Sequence, residues 1–218
     1  MPGRIKRGGG MTTGRVQLLQ PFLFVGNHPC LDFINTQMIV QGNPTDLLGG
    51  CEDLVTWLVQ ASVVDKVQAA VVMTQWSHKD QEQLFEQGIR FRGTLREVVK
   101  RIVARKSIPH SAVACINQVL SRCPSYPQLV YKNGGYTRQF QSQAAQKDCL
   151  LAPLAEAASD LLCSGNLSLV KKCGNPACIL YFYDTTKNHT RNWCSMQLCG
   201  NRIKVAAHYQ RKRNIPTV

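Results

Sequence analysis

Four cysteines near the C-terminus carry the most pointed chemistry in the chain. Cys173 and Cys178 enclose four residues, Cys194 and Cys199 enclose four more, and fifteen residues separate the two pairs. Two close thiolate pairs joined by a hairpin-length loop can place four sulfurs around one tetrahedral ion. Gly174, Asn175 and Pro176 are turn formers that suit the first pair to a knuckle. Iron also accepts an all-sulfur tetrahedron, but the common ferredoxin spacings differ from this one. Four buried thiols without metal, or two disulfides, are the plainer alternatives; burial requires no paired spacing, and nothing in the sequence signals secretion. The spacing therefore predicts one structural Zn2+ per chain, on Cys173, Cys178, Cys194 and Cys199. Four sulfurs fill the tetrahedron and leave no position for a reacting water.

Other catalytic patterns are missing. There is no Gly-x-Ser-x-Gly elbow, no phosphate-binding glycine loop and no His-Glu-x-x-His pair. His28, His78 and His110 lie far apart, and His189 falls in a polar turn. The expectation is a protein that is not an enzyme.

The elements that would position the four sulfurs follow from local pattern. Ile179 to Tyr183 alternates as a strand, Thr185 to Thr190 is turn material, and Arg191 to Ser195 reads as the returning strand. Cys199 then opens a helix through Lys212. Knuckle, hairpin and helix in this order make a treble-clef-like module. On the helix, Ile203, Ala206, Ala207 and Gln210 share a face that can pack on the hairpin. Lys204, His208, Arg211 and Lys212 share the other. With Arg202 and Arg213 they form the candidate nucleic-acid surface, and the helix start offers backbone amides to a phosphate. Arg202 either contacts DNA or pairs with Asp184; Asn201 bonds the knuckle backbone or a thiolate. The aromatic residues Tyr181, Phe182, Tyr183, Trp193 and Tyr209 either stack on single-stranded bases or form the module's small core.

Charge supports a polyanion partner. Residues 171–218 carry nine basic side chains against Asp184 alone, whereas residues 21–170 carry 13 basic and 12 acidic ones. A near-neutral body beside a strongly basic module points to a polyanion partner, most simply nucleic acid, whether duplex DNA or RNA, with a protein surface as the alternative. Basic tails also serve solubility. Residues 1–20 hold Arg4, Lys6, Arg7 and Arg15, five glycines and no apolar cluster, so they read as a flexible arm; Met11 is an alternative start. No apolar run approaches the ~20 residues of a membrane span. A cytoplasmic protein is expected, with Cys30, Cys51, Cys115, Cys123, Cys149 and Cys163 as free thiols.

The run Trp193-Cys194-Ser195-Met196, followed by Cys199-Gly200-Asn201-Arg202 and Lys204, resembles the signature of the CGNR zinc-finger family. Upstream, Leu31-Asp32-Phe33-Ile34-Asn35-Thr36 is similar to the segment that opens that family's N-terminal domain, called ABATE. The resemblance spans roughly residues 21 to 213. Members are described as stress-induced bacterial transcription regulators, which implies DNA binding by the finger and an N-terminal domain that senses a ligand or partner.

The body, 21–170, reads as α+β: mainly helical, with a small sheet. Phe22 to Val25 predicts a short strand and Pro44 to Gly50 a turn-rich connection. Helical patterns follow from Glu52, over Val67 to Met73, from Ser77 onward, from Pro109, and from Pro153 to about Cys163. The longest buries Leu84, Phe85, Phe91, Leu95, Val98, Val99 and Ile102, and leaves Arg92, Arg96, Lys100 and Arg105 as a basic or merely solvated face. Asn133-Gly134-Gly135 between apolar runs predicts a hairpin. Asp32 and Asn35, three apart, either hold a small ligand or bridge backbone groups. The body is expected to fold by itself.

Overall fold

A computed structural model describes residues 22–123, 125–132, 134–142, 149–205 and 209. The expected arm, the turn residue Asn133 and the end of the basic tail lie outside them. The order is α1 (Pro29–Ile34), β1 (Gln37–Val40), β2 (Asn43–Asp46), α2 (Cys51–Gln60), α3 (Lys66–Gln75), α4 (His78–Val103), α5 (His110–Ser121), β3 (Ser125–Lys132), β4 (Gly135–Ser142), α6 (Ala152–Ser164), β5 (Val170–Lys172) and β6 (Tyr181–Tyr183). The strands form three separate antiparallel hairpins.

Helix α4 is the spine. Ser77 and Asp80 close a reciprocal capping box at its start. The stripe Leu84, Phe91, Leu95, Val98, Val99 and Ile102 is buried as the 3.6-residue period predicts, with Phe85 half-buried. Gly88 faces α2: a Cβ there would sit 2.8 Å from Leu54 Cδ2, so its lack of a side chain sets how closely the two helices approach. Helix α3 is the exception to the expected pattern. Val67 is 73% exposed and only Val72 is buried, because α3 contacts little beyond α2.

Of the predicted basic face of α4, Lys100 and Arg105 are exposed, but Arg92 and Arg96 turn inward. Arg92 is buried and forks onto Asp46 at the end of β2, donating from Nη1 to Oδ1 at 2.7 Å and from Nη2 to Oδ2. It also donates to Thr36 Oγ1. Arg96 is half-buried and donates to the Ile34 and Gln37 carbonyls. Both arginines hold the β1–β2 hairpin against α4. That hairpin replaces part of the expected 44–50 connection; it turns on Gln41 (φ 51°) and Gly42 (φ 86°), a left-handed pair suited to a two-residue loop. Residues 22–25 form no strand. The β3–β4 hairpin forms as expected, around Gly134.

Two cysteines expected as free thiols are joined: Cys123, after α5, is bonded to Cys149, before α6. They are 26 residues apart, so no close spacing announces them. The full antiparallel register of β3 on β4 brings the two flanks of that hairpin together.

The main core does not stop at residue 170. Val170 and Tyr181 belong to the same apolar cluster as Phe22, Leu31, Trp57, Phe91 and Leu154, with Tyr183 packed against it. A body cut at residue 170 would give up the packing of Tyr181 and Tyr183.

Candidate metal centre and nucleic-acid interface

The four cysteines converge. Cys173, at the end of β5, and Cys178, before β6, flank the first knuckle, where Cys178 N donates to Asn175 O as the turn closes. Cys194 and Cys199 flank a second turn, in which both Cys199 N and Gly200 N donate to Ser195 O. All four sulfurs lie within 4.8 Å of one another and all four residues are buried. Cys178 and Cys194 sulfurs are 3.9 Å apart, Cys194 and Cys199 sulfurs 3.6 Å. A tetrahedron with ~2.3 Å zinc–sulfur bonds has edges of about 3.8 Å. The donor set and its spacing fit that ion.

Hydrogen bonding from the Cys194 thiol pushes the Cys178 thiol down, while the same contact, burial and the neighbouring thiolates drive Cys194 upward. Four thiolates this close repel one another unless a cation sits among them. Two donors serve the sulfurs: Asn175 Nδ2 to Cys199 Sγ at 3.3 Å and Cys194 N to Cys173 Sγ at 3.4 Å. Sequence reasoning gave Asn201 either the knuckle backbone or a thiolate as its partner; Asn201 is exposed, and the buried amide that reaches a sulfur is Asn175, inside the first knuckle.

The module's second strand is absent. Residues 184–195 form a loop, and the partner of β6 is β5, in register Val170↔Tyr183 and Lys172↔Tyr181. Asp184 organises this loop. Its buried carboxylate accepts from Lys171 Nζ (2.7 Å), Thr186 N and Oγ1, and Arg191 N. Burial alone would raise its pKa, but these donors hold it well below the usual carboxylate range. Asp184 is thus paired with Lys171 rather than Arg202. Arg191 donates to Val25 O, Trp193 O and Cys194 O, with its guanidinium 4.2 Å from the Phe182 ring centre.

The last helix begins earlier than expected, at Met196 with a wide π-type turn, and continues as α-helix over 201–205. Ser195 Oγ caps Gln197 N and Leu198 N, so these amides are engaged within the turn. Gly200 leaves room for its neighbours: a Cβ would lie 2.6 Å from Met196 Sδ and 3.1 Å from Trp193 Cδ1, so the Met196 side chain would have to move. Asn201, Arg202 and Lys204 are exposed, and Ile203 is half-buried. His208, Arg211, Lys212 and Arg213 lie outside the described residues. Lys204 joins Lys187, Asn188, Asn192 and Trp193 around an open cleft of about 540 Å³ on the finger. The loop residues Lys187, Asn188 and Asn192 were missed as surface candidates. Their signal was an Asn-rich, acid-free stretch following Asp184 in a basic module.

Asp32 lies in α1 and Asn35 is its C-cap; both are buried. Asp32 Oδ1 accepts from Gly26 N at 2.7 Å; burial raises its carboxyl to about 6, with the backbone donors and the Arg191 charge working in the opposite direction. Asn35 pairs with one residue of β6: its Nδ2 donates to Tyr181 O at 2.8 Å and its Oδ1 accepts from Tyr181 N at 2.9 Å. The amide thus completes the free edge of β6 as a strand would. The first motif clasps the finger.

A helical body with small hairpins is clasped to a treble-clef-like four-thiolate module with the donor geometry of a zinc finger. The chain belongs to the ABATE family, described as "Putative stress-induced transcription regulator", whose model matches residues 27–165; the CGNR zinc finger matches residues 170–212. Membership gives the chain a non-enzymatic role in transcription regulation. No curated protein matches the chain. Among the described residues no helix is long and apolar enough to cross a membrane.

Proposed function

We propose that the protein binds duplex DNA through a finger built on one structural Zn2+, while residues 21–170 sense a ligand or partner in the cytoplasm. Cys173, Cys178, Cys194 and Cys199 hold the ion, which supplies no chemistry beyond fixing the two turns. The observation that carries the reading is the exposed basic stretch leaving the second turn. Arg202 and Lys204 stand free on the helix, beside Lys187 and the Asn188 and Asn192 amides of the neighbouring loop. Lysines neutralise phosphates, and Asn side chains are suited to adenine edges. Arg211, Lys212, Arg213 and His208 extend the same charge along the sequence. Asn35 acts as the clasp between body and finger through Tyr181, and Asp32 braces the Gly26 backbone inside the body.

RNA binding is the second reading, favoured by Tyr209, which is 64% exposed in the basic C-terminal stretch. Tyr181 and Phe182 are buried, which removes two of the candidate stacking platforms. Titration of the full chain with duplex DNA and with single-stranded RNA, at matched salt, separates the two. Four phosphate contacts imply a slope of roughly −3.6 in log K against log salt on duplex DNA. Lys204→Ala should weaken binding alike on every sequence and reduce the slope by about one. Salt-insensitive binding, or preference for the single strand, refutes the proposal.

A further inference from the structure

A cleft of about 640 Å³ opens where the end of α4 meets β5 and the first knuckle. Its volume falls in the range of small-molecule sites. Apolar side chains from both sides line it: Ile102, Val103 and Ile108 from the body, Leu167 and Val170 from the approach to the finger. Five cations share this lining and no carboxylate does, among the described residues. Two of the five are engaged, Lys171 with Asp184 and Arg191 with three carbonyls. Arg105, Lys106 and Lys172 are exposed, and among the described residues none of their side chains has a hydrogen-bond or ion-pair partner.

The backbone at α4's end holds two of these charges in place. Arg105 takes a left-handed conformation (φ 53°), a position where glycine is usual after a helix. Its amide donates to Ile102 O and that of Lys106 to Arg101 O. These bonds satisfy two carbonyls that would otherwise repel an anion at a helix C-terminus.

We propose that this cleft binds a small amphipathic organic acid, its apolar body on the Ile102–Ile108–Val170 surface and its anionic group on Arg105, Lys106 and Lys172. The inference rests on the reading of residues 21–170 as a sensing body, and places the sensed molecule against the finger. A ligand seated there touches α4 on one side and β5 with Gly174 on the other. Its occupancy bears on how the body holds the first knuckle.

The probes are 1-naphthoate, its neutral counterpart 1-naphthalenemethanol, and inorganic phosphate, each titrated into the zinc-loaded full chain without DNA. Methyl NMR of Val103, Ile108 and Leu167 is the readout. Saturable shifts at these methyls with naphthoate, at least tenfold weaker for the alcohol, are expected. Lys106→Glu and Lys172→Gln change exposed side chains; each should weaken naphthoate several-fold and leave the unfolding midpoint in place, since an exposed charge contributes little to stability. Equal binding of acid and alcohol overturns the anionic part. Phosphate alone shifting the signals overturns the amphipathic part. Loss of duplex DNA affinity in both variants with naphthoate binding unchanged makes the cleft part of the DNA face and overturns the proposal. Naphthoate binding by a chain that binds no DNA would refute the regulator reading and leave the site standing.

Discussion

The clasp between Asn35 and Tyr181 allows a worked prediction. Asn35 is 1% exposed, and its amide meets both polar groups of the Tyr181 backbone, which is itself buried. Asn35→Ala removes both partners and admits no other side chain in their place. A buried donor or acceptor left unpaired costs about 1–3 kcal/mol, so two together cost about 4 kcal/mol. For a chain of this size that corresponds to a midpoint lower by about 8–16 °C. The four cysteines are untouched, so the metal content of the variant should equal that of the native chain. Hydrogen exchange should locate the damage: the amides of Tyr181 and Phe182 should exchange about a thousand-fold faster. Asn35→Asp supplies a sharper control. Ionised, it turns a negative oxygen toward Tyr181 O; protonated, its hydroxyl can donate there while its carbonyl accepts from Tyr181 N. Burial raises the folded pKa of such a carboxyl above its unfolded value. The deficit of this variant should therefore shrink as pH falls from neutrality toward about 4. A loss under about 1 kcal/mol for Asn35→Ala, with β6 exchange unchanged, would refute the clasp.

Two further outcomes follow from the geometry. If the four cysteines hold the proposed zinc, elemental analysis should find one per native chain and none in Cys194→Ser, whose amide dispersion over 173–200 should collapse; because β6 is shared with the main core, α1 signals should shift as well. Unchanged metal content would remove Cys194 from the ligand set. Asp46→Asn leaves the buried Arg92 cation facing a neutral partner and should cost about 2 kcal/mol, less than a fully buried pair because the Asp46 side chain is 39% exposed. Burial pulls the Asp46 carboxyl up, but Arg92 holds it below its ordinary value. Its contribution is therefore present above about pH 4 and lost as pH falls through the lowered folded pKa. Urea unfolding below pH 4 should show this decline in the native chain and a flatter profile in the variant.

Local pattern determined a large part of this protein. Cysteine spacing located the four sulfurs because each pair closes within one turn, and a turn is decided by the residues inside it. The stripe of α4 and the β3–β4 hairpin were legible for the same reason. Tertiary structure decided what each polar side chain meets. Arg92 lies along a basic stripe in the sequence, yet its partner Asp46 is 46 residues away on a hairpin whose two-residue loop, Gln41-Gly42, was the one available signal. Asn35 and Tyr181 are 146 residues apart. The disulfide of Cys123 and Cys149 depends on a register that only the folded hairpin supplies. Periodicity reports which face of an element is apolar. It carries no record of which distant backbone completes a buried amide, since that is settled when the whole chain packs and every buried polar group must find a partner.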